Sequence, residues 1–286
     1  MMLNKLSKNI NISNTTFIIV TYESEYVINE CLKDLPKKSH KIIIENSKNL
    51  NLKKDLEKKY KNLKCIITKK NYGYGKSNNI GIKFAKTKYV FILNPDTKLK
   101  KLDFDKIVKN LKNQDFAIAA PTIKEKFKIY KQNQTKKKII DVESVPGMAM
   151  ILNKSKIKNN LFDEKIFLYL EEVDLCKRIK KINERILEIN VQITHLGGLS
   201  HSKKNFEIDK AKNWHWMWSK FYYSSKYNGY VYSLLIFFPY LFLLLVKFIF
   251  YSLVDKNKKQ IYFMRFNGLL NSILKKESFH RPYKNK

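Results

Sequence analysis

Short apolar runs alternate with amphipathic stretches throughout the first half of the chain. Each run is rich in β-branched residues and is bounded by turn residues, which predicts a buried strand. The stretches between the runs carry apolar residues at the three- and four-residue spacing of helices. The predicted strands are 15–22, 41–46, 63–68, 88–93 and 116–121, and the predicted helices between them are 23–35, 51–62, 75–87 and 102–113.

This alternation is typical of βαβ units and predicts an α/β fold with a mixed, mostly parallel sheet flanked by helices. Four of the strands end in polar residues, at Thr21-Tyr22, Glu45-Asn46, Thr68 to Asn71 and Asn94 to Asp96. Ligands of such sheets bind outside the carboxyl ends of the strands. The sequence therefore predicts a binding site along one edge of the sheet.

The second half continues the pattern less regularly. A lysine-rich stretch over 124–140 predicts an exposed connection, and 144–153 predicts a further strand. The stretch 162–181 passes from an aromatic-rich loop into a helix, and 185–191 predicts the last clear strand.

From about residue 230 the composition changes. The run 230–254 holds 25 residues with one charge, Lys247, and about 20 apolar residues are enough to cross a bilayer as a helix. Pro239 divides the run, however, and basic residues flank both ends, so that a single crossing would leave positive charge outside. This pattern predicts two half-inserted helices on the cytoplasmic face of a membrane. A hydrophobic helix pair packed on the protein is the alternative.

These observations divide the chain into a domain over 1–205 and a helical, membrane-associating region over 206–286. Three Trp residues (Trp214, Trp216 and Trp218) and many Tyr residues suit the headgroup level of a membrane.

The formal charge of +32 suggests an anionic partner, but its composition argues against nucleic acid. Only four of the 57 basic residues are Arg, whereas base and phosphate recognition favours the bidentate Arg side chain. Attraction to anionic lipid or to a diphosphate fits the charge equally well. The three cysteines form no CxxC pair, which supports neither a disulfide framework nor a zinc site and suits a reducing cytoplasm. The polar first residues predict a start on the cytosolic side.

The stretch NYGYGKSNN lies between a predicted strand and a predicted helix. It resembles a P-loop but has Lys70 where that motif needs its first glycine. Gly73 and Gly75 allow a close backbone approach ahead of a helix N-terminus, which favours anions. A tight turn without a ligand is the alternative.

Asp96 follows a buried strand in the sequence FILNPDT. As a structural residue it would cap a helix or close an Asx-turn with Pro95. A carboxylate at a strand's carboxyl end is also where a hard cation is held, with substrate phosphates as further ligands.

Two further features carry candidate chemistry. Glu171, Glu172 and Asp174 crowd the start of a helix after an aromatic-rich loop. Helix-dipole complementarity explains them, and so does a general base whose pKa is raised by apolar neighbours. His195 lies just past a strand and before two glycines. A single His is more often structural, but together with Asp96 and the acidic pair it would supply a metal site and a base.

The whole set of motifs resembles the family 2 glycosyltransferases, in particular their rhamnosyltransferase-like branch. The stretches TY, IENS, NYGYGKSNNIGI, FILNPDT, VPGMAMIL, FDEKIFLYLEEVDLCKR and HLGGLSH carry the resemblance, in the family's order, over about residues 15–200. It implies a GT-A fold, a nucleotide-sugar donor with dTDP or UDP, a divalent metal (Mg²⁺ or Mn²⁺) and inversion at the anomeric carbon.

The resemblance also assigns expected roles to individual residues. Thr21, Tyr22, Glu45 and Asn46 would line the base and ribose pocket, and Asn71, Gly73, Gly75 and Asn79 would shape the donor and diphosphate side. Asp96 would be a metal ligand, with Asn94 in place of the first acid of the family's Asp-x-Asp, and His195 would be a second ligand. Of the pair Glu171 and Glu172, Glu172 would be the base.

Two positions depart from the family pattern, because Glu172 and Glu45 stand where Asp is usual. A base misplaced by about 1 Å can cost on the order of 100-fold in rate, so a catalytically inactive glycan-assembly scaffold of the same fold is the alternative function. A lysine-driven nucleic-acid binder is a third hypothesis and predicts steeply salt-dependent affinity.

The sequence thus predicts an inverting glycosyltransferase at the inner face of the cytoplasmic membrane. Its acceptor would be a lipid-linked or growing surface glycan, its donor dTDP-rhamnose by resemblance, and its partners would include an anionic membrane surface but no nucleic acid. Homo-oligomers are compatible with the sequence.

Overall fold

The computed structural model describes residues 9–125, 129–130, 137–197 and 205–282. These residues form two compact units. The first comprises the described residues up to Phe162 together with Glu172 to Gly197, and the second comprises Asp163–Glu171 and 205–282.

The first unit is an α/β structure. Its strands are β1 (Thr15–Thr21), β2 (His40–Glu45), β3 (Leu63–Ile67), β4 (Tyr89–Leu93), β5 (Thr97–Lys98), β6 (Ile118–Lys124), β7 (Ile129–Tyr130), β8 (Ile139–Asp141), β9 (Ala149–Asn153) and β10 (Ile186–His195). Its helices are α1 (Glu25–Asp34), α2 (Leu50–Lys59), α3 (Tyr74–Phe84), α4 (Lys101–Leu111), α5 (Lys154–Ile157) and α6 (Glu171–Lys181), whose first residue belongs to the second unit.

The strands of the described chain form one mixed sheet in the order β3-β2-β1-β4-β9-β6-β10-β5, with β7 beside β6 and β8 beside β10. Strands β1 to β4 are mutually parallel. Strand β9 is antiparallel to both β4 and β6, and β10 is parallel to β6. Consequently β1, β2, β3, β4, β6 and β10 all end at the same edge of the sheet, where β9 begins.

The sheet is buried on both faces, which explains why its strands read as continuous apolar runs. Along β1, Phe17 and Ile19 belong to one core cluster and Ile18 to the other, and all three are fully buried. Along β4, Phe91 and Val90 divide in the same way. This alternation follows from the two-residue period of a strand, and the predicted α/β fold is confirmed.

The second unit contains three long helices, α7 (Phe206–Asn228), α8 (Tyr230–Val254) and α9 (Lys256–Ile273). Gly229, at a φ of +90°, separates α7 from α8. The core between the helices includes Phe221 of α7, Leu244 of α8 and Leu269 of α9. Gly268 lies so close to α7 that a Cβ atom there would be 2.2 Å from the carbonyl oxygen of Trp214.

The segment Asp163–Glu171 packs with α7 inside this second unit. The Tyr222 hydroxyl donates to Asp163 (2.8 Å), and the Ser219 hydroxyl donates to the carbonyl of Leu168 (2.8 Å). The Phe167 ring stacks on His215 with a centroid distance of 4.3 Å. Tyr169 and Leu170 have positive φ values of 72° and 67°.

The structure corrects the prediction that Pro239 divides the apolar run. Residues Tyr230–Val254 form one continuous helix that contains Pro239. Residues on both sides of Pro239, Phe237 and Leu241, pack in the core shared with α7 and α9. Within the described residues, α8 is the helix whose length and composition suffice to cross a membrane.

Other boundaries also differ from the predictions. The strand expected over 144–153 begins at Ala149, and the one expected over 185–191 extends to His195. Parts of the lysine-rich stretch 124–140 lie in β6, β7 and β8, and residues 126–128 and 131–136 of it lie outside the described residues. Residues 198–201 of the stretch HLGGLSH lie outside them as well.

Candidate active site

The predicted site residues gather at the edge where the parallel strands end. Thr21 closes β1, Glu45 closes β2 and His195 closes β10. Asn94 and Asp96 follow β4 directly. Since these strands are adjacent or nearly adjacent in the sheet, residues separated by more than 170 positions in the sequence lie along one edge.

A tight turn and a short antiparallel ladder bring Asp96 to His195. The backbone N–H of Thr97 donates to the carbonyl of Asn94 (3.1 Å), which closes a turn over 94–97. Strand β5 then pairs with β10, so that Thr97 lies opposite His195. As a result, Oδ1 of Asp96 lies 3.0 Å from Nε2 of His195. The Asn94 amide is 3.4 Å from the same ring nitrogen.

The chemistry of this corner suits a divalent cation. Asp96 is 2% exposed and, among the residues that the structure describes, neither of its carboxylate oxygens has an aligned hydrogen-bond donor. A buried carboxylate without such donors is costly unless a positive charge faces it. A carboxylate oxygen and an imidazole nitrogen are both ligands that Mn²⁺ accepts. In the described part of the chain, no group of three or more His, Cys, Asp or Glu side chains comes together as a metal site.

Glu125 is the third residue of the group formed with Asp96 and His195, and no motif in the sequence indicated it. It follows β6, which pairs with β10, and its Oε1 lies 2.8 Å from Nδ1 of His195. Gly197, at a φ of +60°, lies against the Glu125 carboxyl, 3.5 Å from where a Cβ would stand. Burial alone would lower the pKa of His195, but Asp96 and Glu125 together raise it above its ordinary value.

The start of helix α3 forms the predicted phosphate side of the site. Gly73, at a φ of +79°, caps α3 without a side-chain hydrogen bond, and Gly75 lies buried in the first turn. The Asn71 side chain accepts from the backbone N–H of Gly73 (3.0 Å) and fixes the entering loop. An N-terminus of this kind offers backbone N–H groups and a partial positive charge to an anion.

Asn46 ties the end of β2 to α3. Its amide nitrogen donates to the Ser77 hydroxyl (2.8 Å), and its carbonyl oxygen accepts from the Thr68 hydroxyl (2.9 Å). Asn79, farther along α3, uses its side chain on the backbone of Phe162, donating to the carbonyl (2.9 Å) and accepting from the N–H (3.0 Å). Both amides therefore hold the shape of the donor side through the protein's own hydrogen bonds.

Thr21 and Glu45 form a buried polar pair at the ends of β1 and β2. The Thr21 hydroxyl donates to Oε2 of Glu45 (2.6 Å), and Ser47 donates its backbone N–H and its hydroxyl to Oε1. Both Thr21 and Glu45 are fully buried. Tyr22 is half-buried, and its burial, with the charges of Glu23 and Glu45, raises its pKa to about 12.

Glu172 lies beside the segment that leads into β9, the strand that begins at the edge of the sheet where the parallel strands end. A Cβ on Gly147 would lie 3.4 Å from Cβ of Glu172, within van der Waals contact, so Gly147 lies directly beside the acidic side chain. The carbonyl of Gly147 accepts from the Tyr74 hydroxyl (2.6 Å), and the next carbonyl, of Met148, accepts from the N–H of Asn94 (2.9 Å). These contacts connect Glu172 to the loop that carries Asp96. Burial raises the pKa of Glu172.

Glu171 behaves differently from its neighbour. It is 4% exposed and belongs to the second unit. There, burial together with the charges of Glu171 and Asp209 raises the pKa of Tyr169. The structure thus gives the two members of the acidic pair separate surroundings.

Solved structures with the same architecture are glycosyltransferases of the GT-A type. TarS of S. aureus, residues 1–349 in complex with UDP-GlcNAc, superimposes with a TM-score of 0.55 at 16% identity and covers 92% of each chain. The mannosyltransferase PcManGT from Pyrobaculum calidifontis, in complex with GDP-Man and Mn²⁺, gives a TM-score of 0.55 at 11% identity, over 92% of this chain and 88% of that one.

The sequence comparison identifies the family. The sequence model of glycosyl transferase family 2 matches residues 16–178, and the chain belongs to this family. Among its relatives, the rhamnosyltransferase WbbL of Escherichia coli (strain K12) is 24% identical over 235 residues, which cover 69% of this chain and 88% of WbbL. The family and the rhamnosyltransferase-like resemblance predicted from the motifs are confirmed.

Proposed function

We propose that the protein is a metal-dependent, inverting glycosyltransferase that moves a sugar from a nucleoside diphosphate to a lipid-linked or surface-glycan acceptor. The observation that carries this proposal is the buried corner at the sheet edge. There Asp96 faces His195 at 3.0 Å, Glu125 holds the other nitrogen of the ring at 2.8 Å, and α3 begins at Gly73 on the same edge.

In this proposal Asp96 and His195 would hold a divalent cation, Mg²⁺ or Mn²⁺, beside the diphosphate of the donor. A bound cation of this kind supplies positive charge that stabilises the departing nucleoside diphosphate. Glu125 would accept a hydrogen bond from Nδ1–H of His195, which would leave the Nε2 lone pair available to the cation. The uncapped N-terminus of α3 adds backbone donors for the diphosphate.

Glu172 is the proposed general base. A sugar hydroxyl has a pKa far above neutrality, so a carboxylate must take its proton as the oxygen attacks the anomeric carbon. The raised pKa of Glu172 makes its carboxylate a stronger proton acceptor than an exposed one. Attack from the face opposite the diphosphate inverts the anomeric centre.

Thr21, Tyr22, Glu45 and Asn46 are proposed to form the base and ribose side of the donor pocket, and Asn71, Gly73, Gly75 and Asn79 its diphosphate side. The name of the relative WbbL supports rhamnose as the donor sugar, and we propose dTDP-rhamnose, with UDP-sugars as the second choice. The apolar helix α8 supports a site of action at the cytoplasmic membrane.

Calorimetric titration of UDP, dTDP and GDP, each with and without Mn²⁺, tests the donor site on the wild type and on Asp96→Ala. We expect metal-dependent binding of one nucleotide that is lost in Asp96→Ala. Asp105→Ala, which removes an exposed carboxylate from α4, is the matched control and should bind as the wild type does.

Three outcomes separate the hypotheses. Binding that survives in Asp96→Ala would remove Asp96 from the metal site. Binding without turnover of any sugar nucleotide would favour the inactive scaffold, for which Asn94 and Glu172 are the relevant departures from the family pattern. Absence of binding by all three nucleotides would contradict the enzyme proposal.

A further inference from the structure

The outer face of α8 is an uninterrupted apolar surface. Residues that recur every three or four positions point outward, and Leu235, Phe242 and Leu253 are 70%, 66% and 84% exposed. Val231, Phe238 and Ile249 continue the same row. Soluble proteins seldom leave such a large contiguous apolar surface in water, so this face indicates a contact with an apolar partner.

The inner face of α8 is packed within the second unit. Leu244 is buried against Phe221 of α7 and Leu269 of α9. Helix α9 accompanies α8 along nearly its whole length, because Tyr262 stacks on Tyr251 (5.0 Å) near one end and the Tyr230 hydroxyl donates to the carbonyl of Ile273 (3.0 Å) at the other. If α8 inserts into a membrane, α9 must therefore insert beside it.

Helix α9 is too polar to cross a bilayer beside α8. Its first turn carries Lys256, Lys258 and Lys259, and Arg265 lies farther along. Lys247, the one charge of α8, has its ammonium 5.5 Å from the centre of the Tyr262 ring on α9. A crossing would draw Lys247 and Arg265, which lie within the two helices, into hydrocarbon, where charged side chains are expensive. It would also place the basic residues of one flank outside, against the usual charge bias.

We propose that α8 lies in the plane of the membrane, with its outer face among the acyl chains and both of its ends on the cytoplasmic side. In this arrangement the three helices form one amphipathic body, of which α8 is the apolar side and α9 supplies lysines for anionic headgroups. Helix α8 is roughly 37 Å long, so it offers a long line of contact to the bilayer. The inference rests on the proposed site of action at a membrane and specifies its geometry.

Impermeant thiol labelling tests the orientation in the full chain. The natural cysteines, Cys31, Cys65 and Cys176, are buried, so that a single added cysteine reports its own position. Asn228→Cys and Asn257→Cys place exposed thiols just before and just after α8. In membranes of a bacterial expression host, we expect both thiols to be labelled in inverted vesicles and neither in intact spheroplasts. Labelling of one thiol from each side would show a crossing helix and overturn the proposal.

A variant with charges introduced into the outer face of α8 tests whether that face binds the membrane. L235E/F242E/L253E alters three outward positions of α8, whereas L50E/F84E/L102E alters three exposed apolar residues of the first unit. Flotation with vesicles of roughly one third anionic lipid should show a loss of binding of ~10-fold or more for the first variant and little change for the second.

A second copy of the chain is the competing occupant of this face. If the wild type is a dimer that ignores vesicles and L235E/F242E/L253E is a monomer, the membrane inference is wrong. Nucleotide binding measured on the same variants separates this result from the enzyme proposal. If L235E/F242E/L253E loses vesicle binding but keeps nucleotide binding, the membrane inference is supported. If the wild type binds no nucleotide, that result contradicts the enzyme proposal and not the membrane inference.

Discussion

The two units of this protein depart from the usual distribution of residues in opposite ways. The first unit buries charged and polar side chains at its sheet edge, where Asp96, His195 and Glu45 are all less than 7% exposed. The second unit exposes apolar side chains, and Leu253 of α8 is 84% exposed. A buried polar group is costly without a partner, and an exposed apolar face is costly without one too. In both units the costly residues lie where we propose that a partner binds.

Glu172→Gln should produce the largest change, and it should affect only the first unit's chemistry. Gln keeps the size of the side chain but cannot take a proton, so kcat should fall about 10²–10⁴-fold while nucleotide affinity stays the same. Steady-state release of the nucleoside diphosphate measures the rate, and Glu143→Gln, on an exposed side chain, is the control. Glu172→Asp restores the residue usual in the family and should keep part of the rate. An unchanged kcat in Glu172→Gln would show that the base lies elsewhere.

Glu125→Gln should weaken the metal site without removing a ligand. The neutral amide holds Nδ1 of His195 less firmly, and loss of such an orienting carboxylate typically lowers metal affinity about 10–100-fold. Titration of Mn²⁺ in the presence of nucleotide, followed by electron paramagnetic resonance, gives this affinity directly. Glu125→Asp should recover part of it. Equal Mn²⁺ affinities in the wild type and Glu125→Gln would mean that Glu125 has no part in positioning the ring.

The pH profile should report the burial of Glu172. Burial raises the pKa of this carboxyl above its ordinary value of 4.5, so the group is protonated at a higher pH than an exposed Glu would be. Since the base works as an anion, kcat/KM should rise with pH and fall about tenfold per unit below that raised pKa. The residual activity of Glu172→Gln should lack this acidic limb. If the wild type and Glu172→Gln lose activity over the same acidic pH range, the titrating group is not Glu172.

Replacing Gly268 or Gly229 of the second unit by Ala should lower the stability of the protein, and the two variants should differ in how much. In Gly268→Ala the new methyl would lie 2.2 Å from a backbone oxygen of Trp214. The free energy of unfolding should therefore fall by an amount at the upper end of ~1–3 kcal/mol. In Gly229→Ala no atom lies within 4 Å of the methyl, among the described residues, and only the φ of +90° is unfavourable, which costs about 1 kcal/mol. Denaturant unfolding measures both, and nucleotide binding should stay unchanged. A larger loss for Gly229→Ala would contradict the close packing of α7 on α9.

Local patterns were enough to predict the first four strands and the helices between them. Thr15–Thr21 and Tyr89–Leu93 are buried on both faces, so their central residues form continuous apolar runs that are easy to recognise. The motifs that resemble the family also placed Asp96 and His195 together. Strands as short as β5, with two residues, have no apolar run to reveal them, although β5 is the strand that aligns His195 with the loop of Asp96.

Glu125 could not be found in this way, because its neighbours in the sequence are lysines and its partner is 70 positions away. Only the order of strands in the sheet, with β6 beside β10, brings them together. The effect of Pro239 could not be predicted from the sequence for a related reason. A proline weakens an isolated helix, but α8 continues through Pro239 and packs against α7 and α9, and those contacts are not visible in the local sequence.

The membership of Asp163–Glu171 in the second unit has a practical consequence for the production of a soluble form of this protein. Deleting the helices after residue 205 would remove Ser219, Tyr222 and His215, the residues that hold Leu168, Asp163 and Phe167. The nine residues between Phe162 and Glu172 would then lose their anchors, and proteases would find a new cleavage site directly before the proposed base. Replacing outward side chains of α8 with polar ones keeps those anchors, and is therefore the better route to a soluble and active protein.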